Sequence, residues 1–284
     1  MSTKILISGA RGTLGTATRD ALKKRGIAYE VTVSDASRTI QGETNRILDF
    51  HDPKTFGPAL EGIDKLFLLQ PLGSTMAEQL NGLIEVAKAK GVKYILRSSG
   101  GGAETGSDYE LMQAHGEADQ VLKNSDLNYT IVRPTNFMQN FVNYYADMIR
   151  GGALYFAQGT GTIAHVDARD IGEAYATILD KSEEFYGKTL NFNGPDFIQA
   201  ADLAKTLSEA LNKDVKYVAI GEADLVQNLT SMGMDEVYVR YMASLNRFTR
   251  DHQNPRYAND LEGVLGKELR SVEAFIRENK ESWQ

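Results

Sequence analysis

No cysteine occurs among the 284 residues. Disulfides, thiolate nucleophiles and iron–sulfur ligation are therefore excluded, and a reducing cytoplasm suits the chain. Apolar runs are short. None approaches the roughly 18 residues that a membrane-spanning helix needs. The opening segment MSTKILISG has one lysine and a very short apolar run before a glycine, which does not read as a signal peptide. Cationic residues are in the minority: 31 Lys and Arg against 38 Asp and Glu, a formal net charge of −7. That balance argues against nucleic acid or an anionic membrane as the partner. Histidine is sparse, and none of His51, His115, His165 and His252 has a companion at metal-ligand spacing, so no metal site is expected. A Gly-x-Ser-x-Gly elbow and a P-loop lysine are missing too.

What remains is an ordinary soluble composition, 42% hydrophobic and 24% charged, in a chain long enough for one large domain or two unequal ones. KILIS reads as a buried strand ending at Gly9. From Thr13 to Arg25 the pattern turns helical, with Leu14, Ala17, Ala21 and Leu22 on one face and Gly26 where a C-cap glycine belongs. YEVTVS and RILDF read as further strands, and KLFLLQ has the unbroken apolar run of a strand covered on both faces. Met76, Leu80, Leu83, Ile84 and Ala87 form a helical stripe closed by Gly91. VKYILRSS and YTIVRP are strands with a helix between them. This alternation predicts right-handed crossovers and a parallel sheet.

After Pro134 the rhythm changes. FMQNFVNYYADMI reads as an aromatic-rich helix, and GGALYFAQGTGTIAHV as short strands joined by glycine turns. ARDIGEAYATIL is a helix that returns to the main sheet, KTLNFNG a last strand, and the chain from Gln199 onward mostly helical with a strand at VKYVAI. The expected organisation has residues 1–136 and 166–194 as a dinucleotide-binding domain, with 137–165 and 195–284 as a smaller substrate lobe.

Gly9, Gly12 and Gly15 stand between the first strand and the first helix as G-x-x-G-x-x-G. A tight turn without a ligand also uses glycines. A strand before and a helix after favour a pyrophosphate cradle: one glycine turns sharply, one lets the ligand reach the backbone, and one lets the helix pack close. The helix then offers free N–H groups, here of Thr13 and Leu14, and the positive end of its dipole. The predicted fold class is α/β, a Rossmann-type doubly wound parallel sheet with a mainly helical C-terminal substrate lobe.

ISGARGTLG, YILRSSG, LNYTIVRPTNFMQNF and GTGTIAHVDARDIGEAYATIL together resemble the NmrA-like branch of the atypical short-chain dehydrogenase/reductases, across nearly the whole chain. Within that branch the sequence is most similar to the NAD(P)H-dependent quinone, triphenylmethane-dye and azo-dye reductases, and to the fungal ergot-alkaloid imine reductases. The resemblance implies that Asp49 and Phe50 lie beside the adenine and that Leu69, Gln70 and Pro71 line the dinucleotide. It further implies Ser98 and Ser99 near the nicotinamide ribose, and Pro134, Thr135, Asn136 and Phe137 bordering the nicotinamide.

The choice of dinucleotide turns on the end of the second strand. Asp35 is spaced for the ribose 2′-hydroxyl of NAD(H), and Ser34 stands where NADP-dependent relatives often carry arginine. Arg11 in the glycine loop and Arg38 nearby could clamp a 2′-phosphate. These arginines favour NADP(H) over NAD(H).

The Tyr-x-x-x-Lys pair that donates the proton in standard members of the superfamily is absent. Leu111 occupies the tyrosine position and His115 the lysine position, and Tyr109 is out of register. His115 is the candidate catalytic residue: it would orient the ribose or the substrate, and its ordinary pKa would permit proton transfer. Without a dedicated acid, flat electron-poor acceptors suit hydride transfer best, and the protein's task becomes stacking. Phe137, Phe141, Tyr144, Tyr145, Tyr155 and Phe156 could form an aromatic wall or a lobe core. Asp167 and Asp170 fit an N-cap and a first-turn carboxylate. RFTRDHQNPRY reads as a basic surface loop. The expected function is a cytoplasmic reductase of a small molecule, a monomer or homodimer; a non-catalytic dinucleotide sensor of the NmrA type is the alternative, and a sugar-nucleotide epimerase or dehydratase a third reading.

Overall fold

The computed structural model describes residues 3–251 and 258–284. The first half alternates strand and helix: β1 (Ile5–Ile7), α1 (Thr13–Lys24), β2 (Glu30–Val33), β3 (Asn45–Ile47), α2 (Phe56–Leu60), β4 (Lys65–Leu68), α3 (Met76–Ala89), β5 (Tyr94–Ser98), α4 (Glu110–Lys123) and β6 (Asn128–Pro134). Next come α5 (Asn140–Asn143), α6 (Ala146–Gly151), β7 (Ala153–Phe156), β8 (Thr162–Ile163), α7 (Ala168–Asp180) and β9 (Lys188–Phe192). The remainder holds β10 (Ile198–Gln199), α8 (Ala200–Leu211), β11 (Lys216–Ala219), α9 (Glu222–Ser231), α10 (Glu236–Asp251), α11 (Leu261–Leu265) and α12 (Val272–Asn279).

Seven strands form one sheet in the order β3-β2-β1-β4-β5-β6-β9, and every neighbouring pair is parallel. This is the doubly wound sheet that the strand–helix rhythm predicts. Side chains alternate across it. Ile5, Ile7 and Leu96 face α1 and α7, whereas Leu6, Leu66, Leu68 and Ile95 face α2, α3 and α4. Burial on both faces explains the unbroken apolar runs. The helix pair α1 and α7 is held close by a glycine: a Cβ at Gly172 would lie 2.5 Å from the carbonyl carbon of Ala17.

The smaller lobe has its own core of Met138, Phe141, Ile149, Leu203, Leu207 and Phe275, closed by Trp283, whose indole N–H donates to Phe141 O at 3.0 Å. Two small sheets brace it, β8–β10 antiparallel and β7–β11 parallel.

Three stretches differ from the pattern-based expectations. FMQNFVNYYADMI is two short helices, broken where the N–H groups of Tyr144 and Tyr145 both reach Asn140 O. Arg247 to Asp251 finish α10 and are not a loop, while the rest of RFTRDHQNPRY, residues 252–257 with His252, lies outside the described residues. Within the segment assigned to the lobe, α11 returns to the main sheet: Leu261 is buried in the α1–α7 core, and Asp260 exchanges hydrogen bonds with the Asn191 backbone. Among the described residues, no helix is long and apolar enough to cross a membrane.

Candidate dinucleotide site

The strand order reverses between β1 and β4, which opens a crevice at the carboxyl edge of the sheet. The glycine loop fills that position, and its three glycines have three separate uses. Gly9 has φ +61°, and a Cβ there would lie 2.6 Å from the Leu69 Cβ that follows β4. Gly15 lets α1 press onto the loop, since a Cβ would fall 2.2 Å from Gly9 O. Gly12 is exposed, and a Cβ would meet only Gly9 O, at 3.4 Å. Its outer side is therefore open to a ligand, where any side chain would intrude. Gly12 is also the N-cap of α1, with no side-chain cap and no acidic residue in the first turn. The amides of Thr13, Leu14 and Gly15 thus begin a helix whose positive end faces an unshielded loop. A diphosphate fits this donor set.

At the end of β2, Arg11 Nη1 donates to Arg38 O at 3.1 Å, so the loop arginine and Arg38 are brought together beside Ser34. Asp35 is committed locally. It caps a short 3₁₀ turn by accepting from Ser37 N at 2.9 Å, and the hydroxyls of Ser37 and Ser34 also donate to it. These Ser37 bonds hold its carboxyl below the usual range. Asp49 accepts from His51 N at 2.9 Å, and Phe50 is buried with its ring edge-on to Phe56 at 6.2 Å.

The strand ends show which grouped residues share a surface. Ser98 and Ser99 do not. The Ser98 hydroxyl turns to the α7 side and accepts from Tyr175 Oη at 2.8 Å, whereas Ser99 Oγ is buried with no partner among the described residues. Strand alternation turns the Ser98 side chain toward α7. Thr135 is likewise committed, its hydroxyl donating to Ala164 O at 2.5 Å. Gln70 donates to Met76 O at 2.7 Å, and Pro71 is exposed. Pro134 O accepts from Gly101 N at 2.9 Å, Asn136 O from Val166 N at 2.9 Å, and Phe137 bridges to Val166.

His115 lies on α4 beneath the loop that follows β5. A Cβ at Gly100 would stand 2.8 Å from its Cδ2, so the imidazole needs a glycine above it. Glu117 bonds Gln113 instead of the histidine. Burial, followed by the Arg97 charge, pushes the imidazole down to about 4. A titration held that low disfavours a charged His115 near neutrality.

The place of the absent tyrosine is closed. Leu111 is buried against Tyr241 of α10, and its N–H donates to Ser244 Oγ at 3.1 Å. Tyr109 faces α10 too, bonding Asp251 at 3.1 Å. Of the aromatic set, Phe141 and Phe156 are lobe core, and Tyr144 and Tyr155 are exposed. Phe141, Tyr145 and Phe156 do line a small cavity of about 10 Å³ with Asn136, Gln158 and His165. That is far below the roughly 300–1,000 Å³ of a ligand pocket. His165 is one of the four histidines without a companion at metal-ligand spacing; its Nδ1 is sealed without a partner among the described residues, and burial pushes it down to about 3. Asp167 caps α7 through Arg169 N at 2.8 Å, as its position before the helix implied.

With this geometry in view, the comparisons are specific. Over 277 residues the chain is 29% identical to the NAD(P)H azoreductase of Xenophilus azovorans, with 96% of each chain covered. The NADPH-dependent quinone oxidoreductase of Escherichia coli, solved with NADPH, superposes with a TM-score of 0.86 at 26% identity, over 98% of this chain and 99% of that one. The transcriptional regulator NmrA, solved with NAD, shares the fold at a TM-score of 0.78 and 14% identity, over 98% and 95%. The resemblance to NmrA-like reductases read from the sequence holds along the whole chain. Residues 9–182, from the first glycine of the cradle to the end of α7 and beyond, match the NAD(P)H-binding family, and to that family the chain belongs.

Proposed function

We propose that this protein is an NAD(P)H-dependent reductase that passes hydride to a small, planar, conjugated acceptor such as a quinone, an azo or triphenylmethane dye, or an imine. The glycine cradle, with room outside Gly12, is the observation that carries the reading. In this reading Gly9, Gly12, Thr13, Leu14 and Gly15 hold the diphosphate, Arg11 and Arg38 take the 2′-phosphate of NADP(H), and Ser99, His115 and Asn136 border the nicotinamide end. Residues 1–136 and 166–194 bind the dinucleotide, and 137–165 and 195–284, α11 excepted, shape the acceptor side.

The bound coenzyme supplies the hydride. The chain's own residues orient it, exclude water and present a neutral imidazole. No acidic side chain occupies the place of the usual proton donor, because Leu111 fills it and α10 covers it. Acceptors that need no concerted proton suit such a site, since an electron-poor conjugated system takes up negative charge and water protonates it afterwards. The azoreductase and quinone-oxidoreductase relatives support this choice of acceptor class. Cytoplasmic location and a monomeric or homodimeric state belong to the same proposal.

The test is oxidation of NADPH and NADH by purified protein with quinones, azo dyes, triphenylmethane dyes and cyclic imines. Turnover of one acceptor class is expected. Saturable coenzyme binding with no turnover across the panel would favour a sensor of the NmrA type.

A further inference from the structure

The side of β5 and β6 that faces α4 carries two arginines, Arg97 and Arg133, which meet one carboxylate of α4, Asp119. Arg97 Nε donates to Asp119 Oδ1 at 3.0 Å, and Arg133 Nε donates to Asp119 Oδ2 at 3.0 Å. Arg97 Nη1 also donates to Gln70 Oε1 at 3.3 Å. The Arg97 and Asp119 side chains are 0% and 1% exposed, whereas that of Arg133 keeps 20%. Two guanidiniums share one carboxylate, so the cluster retains a unit of positive charge inside the protein. Asp119 sits four residues after His115, on the same face of α4.

His115 stands one turn of α4 before Asp119, and Arg97, Asp119 and Arg133 are the charges that act on its ring. Its Cδ2–Nε2 edge lies under Gly100, where a Cβ would be 2.8 and 3.0 Å from those two atoms. The other edge, Nδ1, is sealed from solvent without a partner among the described residues, as is Arg97 Nη2. A guanidinium only donates hydrogen bonds. A proton on Nδ1 would set another donor in a buried place already rich in donors and positive charge. A lone pair on Nδ1 suits that place, which leaves the proton on Nε2.

We propose that the Arg97–Asp119–Arg133 triad is a positioning device that fixes His115 as the neutral tautomer protonated on Nε2, with that N–H on the edge under the Gly100 loop at the nicotinamide end of the cleft. The proposal rests on the reading of His115 as a cleft residue. The charged groups that act on the imidazole are Arg97 from β5, Arg133 from β6 and Asp119 from its own helix, and their balance is cationic. Burial first, and then that balance, holds the His115 titration low. The site therefore keeps an uncharged donor across the whole physiological range, so its contribution to turnover does not change with pH there.

Nitrogen-15 NMR of the histidine rings in the full-length protein tests this directly. The wild type is expected to show an unprotonated Nδ1 and a protonated Nε2 for His115 between about pH 5 and 8. Arg133→Gln removes the more exposed cation and is expected to raise the His115 titration midpoint by about half a pH unit. A protonated Nδ1, an imidazolium at neutral pH, or a midpoint that the folded variant leaves unmoved would overturn the triad's role. The wild-type spectrum decides the tautomer even if the variant fails to fold. Addition of NADPH separates the underlying reading: His115 signals that do not respond would remove the residue from the cleft.

Discussion

His165 and Arg11 illustrate how single side chains carry testable consequences. His165 is buried edge-on to the Phe141 ring, 4.9 Å between centroids, and burial alone lowers it from 6.5 to about 3. The unfolded chain binds a proton at His165 that the folded chain refuses, so stability is lost as pH falls from about 6.5 toward 3. His165→Phe keeps an aromatic ring and removes the titration. Its acid-unfolding midpoint, followed by circular dichroism, should move to lower pH, and an unchanged midpoint would contradict the assignment. For Arg11, loss of a charge-assisted contact to a 2′-phosphate is worth about 1.5 kcal/mol, roughly tenfold in affinity. Arg11→Ala should weaken NADPH binding by about that factor and leave NADH nearly unaffected. Equal losses for both coenzymes would remove Arg11 from the phosphate site. At this scale the glycine loop was legible because backbone sterics are local. The separation of Ser98 from Ser99 was legible in principle, since Ser98 shares the parity of Tyr94 and Leu96 in the same strand.

At the scale of elements, the fit of α1 to α7 depends on Gly172, which the sequence displays only as one residue of a helical stripe. A Cβ there would collide with the Ala17 backbone, which cannot step aside. Gly172→Val should cost about 3 kcal/mol in urea unfolding, and a stability within error of wild type would refute the close packing. The strands and the first helices were readable because their apolar patterns have a clear period. The break between α5 and α6 was not, because it comes from two N–H groups sharing Asn140 O, which the apolar pattern does not encode. The covering of Leu111 by α10 was equally hidden: Ser244 lies 133 residues away in sequence. That contact nonetheless explains a residue the sequence reading could only report as a missing tyrosine.

The whole molecule joins a readable sheet to a lobe whose attachment is long-range. The buried carboxylate of Asp170 accepts from Arg270 N at 2.9 Å and pairs with Lys267 at 3.4 Å, tying the C-terminal segment to α7 across 100 residues. No local pattern announces such a pairing, which is why the lobe boundaries were the least legible part of the chain. The sheet, its crevice and the open glycine cradle are the parts from which the function is argued. Isothermal titration of the folded protein with NADPH tests that argument most directly. One saturable site is expected, abolished in Gly12→Val while the variant remains folded. No heat with wild-type protein, or undiminished affinity in the variant, would contradict the account.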